Sequence, residues 1–75
     1  MLDEKTLQRI KLPLEMLKLL VSSELTVRYV ELVGKALAQK DMRKAREMLE
    51  GLIVQLEGML EIAKEMKKEI ERKVR

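Results

Sequence analysis

The chain has 75 residues, a formal charge of +3, 47% hydrophobic and 39% charged residues, and neither cysteine nor histidine. That composition excludes disulfides, thiolate metal sites and the commonest general base near neutral pH. A chain this short buries only about 60% of its unfolded surface, so its core needs a supplement, and oligomerisation or very regular helix packing remain.

The apolar content is almost wholly aliphatic: Tyr29 is the single aromatic residue, beside six methionines. Leu, Met, Ala, Glu, Lys and Arg dominate and all favour helices, and no window alternates in the manner of a strand. The expected class is all-α, as one helical domain over residues 1–75. Asparagine is absent and charge is abundant, as in thermophile proteins or computational designs. Pro13, the three glycines and the methionines weigh towards a natural thermophile protein.

Three helices are predicted in chain order. The first covers about residues 3–21, with Asp3 as N-cap and Leu7, Ile10, Leu14, Leu17 and Val21 on one face. Acids near the start, and Glu15 and Lys18 within the apolar run, argue against a signal peptide and for a cytoplasmic protein. LPLEMLKLLV is short and lacks Trp or Phe anchors, so a core helix explains it better than a membrane surface does. Pro13 removes a hydrogen bond and crowds the carbonyl of Arg9, which predicts a break or kink there. The pair Ser22-Ser23 before Glu24 reads as a junction with an N-cap.

The second helix is expected over residues 24–39. Leu25, Tyr29, Leu32 and Ala36 form one stripe, and Val30, Val33 and Leu37 a second. Lys40-Asp41 is the next junction, with Asp41 capping the helix that follows. The joint KALAQKDMRKAREMLE resembles the tight antiparallel turn of helical-hairpin repeat proteins such as the tetratricopeptide family. The likeness covers residues 35–50 and lacks that family's aromatic and glycine landmarks. It implies hairpin geometry and not membership, since a repeat array needs about three units.

The third helix is expected over residues 42–74. With Met42 at heptad position a, the a and d sites are Met42, Ala45, Leu49, Leu52, Leu56, Met59, Ala63, Met66 and Ile70. An unbroken apolar series of this kind signals coiled-coil-like packing. The helix outruns a partner of the second helix's length, so its end is expected to project beyond a three-helix antiparallel bundle that dimerisation completes. Self-association is therefore placed on Leu56, Met59, Ala63, Met66 and Ile70. Gly51 and Gly58, one heptad apart, read either as a second contact face or as neutral drift.

No catalytic constellation, cofactor motif or metal-ligand cluster is recognisable. The serines and threonines sit where caps explain them, and the isolated glycines form no phosphate loop. The leading expectation is a non-enzymatic helical interaction or oligomerisation module, a homodimer serving as a small adaptor or regulator, with a helical protein as a further partner. The alternative is a nucleic-acid binder using Lys64, Lys67, Lys68, Arg72 and Lys73 of the basic C-terminal helix. Interleaved glutamates and the lack of a stacking aromatic count against it. A designed scaffold without a biological role is a third reading.

Overall fold

The computed structural model describes residues 4–74, without the side chains of residues 6–8. These residues form two helices, α1 (Glu4–Ala38) and α2 (Met42–Val74), folded back on each other as an antiparallel hairpin. The all-α expectation stands, and the three-helix bundle does not. The first two predicted helices are one continuous helix of 35 residues. Asp3, the proposed N-cap, lies outside the described residues.

The junction at Ser22-Ser23 is absent because hydroxyls there bond back along the helix. Ser23 Oγ donates to the carbonyl of Leu20 at 2.7 Å, and Thr26 Oγ1 donates to that of Ser22 at 2.8 Å. Side chains that compete with the helix at its ends can satisfy themselves in this way within it. Pro13 also lies inside α1. It is exposed, so the carbonyl it deprives of a donor sits on the wet side of the helix.

The turn is the best-specified part of the fold. Lys40 adopts a left-handed backbone conformation with φ of 58°. Its N–H donates to Leu37 at 3.0 Å, and that of Asp41 donates to Ala36 at 2.9 Å. This paired arrangement satisfies the last carbonyls of α1 and reverses the chain. Asp41 then caps α2, its carboxylate accepting from the Lys44 N–H at 3.1 Å, as the sequence predicts.

Burial alternates three and four residues apart along both helices. On α1 the inward positions run Leu12, Glu15, Leu19, Ser22, Thr26, Tyr29, Val33 and Ala36; on α2 they run Ala45, Met48, Leu52, Gln55, Met59, Ile62, Met66 and Glu69. Among the described residues only Ala36 and Ala45, beside the turn, are buried and apolar. The small side chains there let the helices draw close. Leu14, Leu17 and Val21, expected on the packed face of the first helix, point outwards.

With 35 residues against 33, α1 covers α2 along its whole length. The projecting end predicted for the C-terminal helix is therefore not observed: Lys11 of α1 reaches Glu69 of α2. The hairpin measures 53 × 26 × 13 Å with a radius of gyration of 17.0 Å. A compact domain of this length would have about 11 Å. The molecule is one helix thick. Among the described residues, no helix is long and apolar enough to cross a membrane.

Candidate interaction surface

Two helices packed along a single seam leave most of each helix outside it. Eighteen large aliphatic side chains among the described residues are at least 40% exposed. Isolated exposed leucines are ordinary, whereas a contiguous apolar face marks an interaction surface. The arrangement of the side chains decides which of these applies.

In an antiparallel pair of right-handed helices, the positions that follow the seam clockwise on one helix share a broad face with the corresponding positions on the other. On α1 these are Met16, Leu20, Ser23, Val27, Val30, Gly34 and Leu37. On α2 they are Leu49, Ile53, Leu56, Leu60, Ala63 and Ile70. The two rows lie side by side, with a groove between the helices lined by Leu19, Ala63, Met66 and Ile70 and edged by Lys67 and Glu71. No charged side chain interrupts the face between Met16 and Leu37 or between Leu49 and Ala63. Arg9, Arg46 and Lys67 border it.

The opposite broad face has a different character. It carries Lys18, Arg28 and Lys35 from α1 and Lys44, Glu47, Glu61, Glu65, Lys68 and Arg72 from α2, with Leu14, Val21, Leu25, Leu32 and Val54 among them. Tyr29 leans towards this side and covers Gly51. A Cβ at residue 51 would stand 2.5 Å from Tyr29 Cε1 and 2.8 Å from Cζ. Gly58, one heptad on, has open space around it. The pairing of these glycines as one contact face therefore does not hold, because Gly51 is filled from within the chain.

Of the residues predicted for self-association, Leu56, Ala63 and Ile70 lie exposed on the apolar face, whereas Met59 and Met66 are half-buried in the seam. Met59 Sδ is 3.3 Å from Thr26 Oγ1. The basic residues of the alternative reading are spread around α2 and alternate with acids. Lys64, Lys67 and Lys68 stand 3.9, 3.9 and 3.7 Å from Glu61, Glu71 and Glu65, and Arg72 stands 3.3 Å from Glu69. Lys73 falls at a seam position beyond Glu69. They are not gathered into one basic stripe.

Glu69 is the one buried charged residue among those described, at 7% exposure. Its Oε2 accepts from Lys11 Nζ at 3.1 Å and from Arg72 Nη1 at 3.3 Å. The hydrogen bond from Lys11 holds the carboxyl below its ordinary range, against a smaller opposing effect of burial, with help from the charges of Lys11, Arg72 and Lys73. Composition hid this residue among thirteen acids. Its three-four spacing from Met66 and Ile62 was the available signal. Among the described residues, no group of three or more acidic side chains is placed to hold a metal ion.

Comparison with protein-family models, curated proteins and solved structures finds no match to this chain.

Proposed function

We propose that the chain is a non-enzymatic helical interaction module, an adaptor or regulator that works by packing its exposed helix faces against other helices. The observation that carries this reading is the continuous aliphatic face spanning both helices. Its composition is more apolar than the seam inside the hairpin, which holds Glu15, Ser22, Thr26, Gln55 and Glu69. A helix apolar on several sides is a buried helix, and α1 exposes aliphatic side chains on both broad faces, among them Leu20 and Val27 on one and Leu14 and Val21 on the other. The ion pairs along α2 favour this reading over nucleic-acid binding, because each glutamate offsets the phosphate affinity of its neighbour.

Analytical ultracentrifugation and titration with an apolar fluorescent dye test the proposal together. The expected result is either self-association or a folded monomer that binds dye. A cooperatively folded monomer that binds no dye at micromolar concentration would overturn it.

A further inference from the structure

We infer that the occupant of the apolar face is a second copy of this chain, and that two hairpins stack face to face as a four-helix bundle. This rests on the interaction reading above and names its partner.

The area supports it first. The hairpin exposes 6424 Å², whereas a compact protein of 8.8 kDa exposes about 4,800 Å². The excess is about 1,600 Å² per chain, and hiding it in both of two copies removes about 3,200 Å², within the range of obligate homodimers. A partner of ordinary interface size would leave much of that excess wet.

The chemistry supports it second. Discrimination between partners is commonly written in charges and buried polar groups at the interface. The centre of this face has none beyond Ser23, so nothing in it selects a chemically different surface. It is self-complementary: two aliphatic ridges with an apolar groove between them meet another such pair by ordinary helix packing. Arg9, Arg46 and Lys67 at its border are long enough to carry their charges to water at the rim of such a pairing.

The shape supports it third. A layer 13 Å deep gains a two-sided core only when a second layer covers it. A two-fold pairing of identical faces does this and closes the assembly.

Sedimentation equilibrium of the full chain and a matched pair of variants tests the inference. Leu56 is on the apolar face and Val54, two residues away on the same helix, is on the mixed face. The wild type should sediment at twice 8.8 kDa. Leu56→Asp should weaken association by about 100-fold or more, and Val54→Asp by less than about 3-fold. If Leu56→Asp also loses helix by circular dichroism, Leu56→Ala reads the same face, with about 10-fold weaker association. A dimer broken by Val54→Asp and not by Leu56→Asp overturns the assigned face and leaves an interaction module standing. A wild-type monomer that binds apolar dye, or phosphatidylcholine vesicles, only when Leu56 is intact overturns the second copy as occupant. A folded monomer that binds neither overturns both this inference and the reading beneath it.

Discussion

Tyr29 and Gly51 share one volume: the aromatic ring occupies the space in which a side chain at residue 51 would begin. A glycine inside a helix costs about 1 kcal/mol relative to alanine. Here that cost is offset by the ring, which lies over the α2 backbone. Gly51→Ala should therefore not recover the usual gain. The ring has to move, and overpacking of this kind costs about 1–3 kcal/mol, so a net loss near 1 kcal/mol is expected in urea unfolding. Gly58→Ala, with open space at the same heptad position, should instead stabilise by about 0.5–1 kcal/mol. Equal effects of the two changes would refute the role assigned to Tyr29.

At the turn, Lys40 holds a conformation that glycine adopts more readily. Lys40→Gly is expected to raise stability by about 1 kcal/mol, since the left-handed region costs other L-residues about that much. Removing the cap by Asp41→Ala should act in the opposite direction, by about 1 kcal/mol. Chemical denaturation of both variants at one protein concentration checks the pair.

Glu69 makes the hairpin sensitive to acid. Its carboxyl is held below the ordinary range in the folded chain, so the folded form binds the proton less readily than the unfolded form. The stabilisation is present above the usual carboxylate value of about 4.3 and is lost as pH falls through the lower folded value. Glu69→Gln should lose that stabilisation at pH 7 and flatten this part of the acid profile. An unchanged slope below pH 5 in the variant would count against the pair with Lys11.

Ala36 and Ala45 set how closely the helices meet beside the turn. Ala45→Leu should force them apart and destabilise by about 1–3 kcal/mol. The same change at the exposed Ala38 should move stability by less than about 0.5 kcal/mol. Thermal unfolding at matched concentrations distinguishes the two.

The helical class, the position of the tight turn and the bounds of α2 were legible because propensity, periodicity and the Asp41 cap all agree there. The continuity of α1 was not. Ser22 and Ser23 resemble a junction in sequence, and only the bonds from Ser23 and Thr26 to preceding carbonyls show them accommodated within a helix. The choice of seam was illegible for a related reason. Rows on α2 starting from Ala45 and from Leu49 are both apolar, and periodicity favours the combination Ala45, Leu49, Leu52 and Leu56. The hairpin instead turns Gln55 and Glu69 inwards and leaves Leu49, Leu56 and Ile70 outside. The inner row contains the groups with partners on α1, as Lys11 and Glu69 illustrate, whereas the outer row is unbroken hydrocarbon over its centre. A count of apolar residues cannot separate an inward row of this kind from an outward one.

The single reversal between α1 and α2 also dictates an order of events in folding. Contacts between the helices close loops around Lys40, from the short loop joining Ala36 and Ala45 to the long one joining Lys11 and Glu69, which are 58 residues apart. Closure entropy grows only slowly with loop length once the first contact has formed. Starting at the turn, each further contact adds only a small closure, so the helices are expected to zip outwards from it and to part from the other end. Amide protons around Ala36 and Ala45 should be the slowest to exchange with solvent, and those near Lys11 and Glu69 among the fastest. The ion pair at the open end is then expected to be among the last native contacts to form and the first to be released.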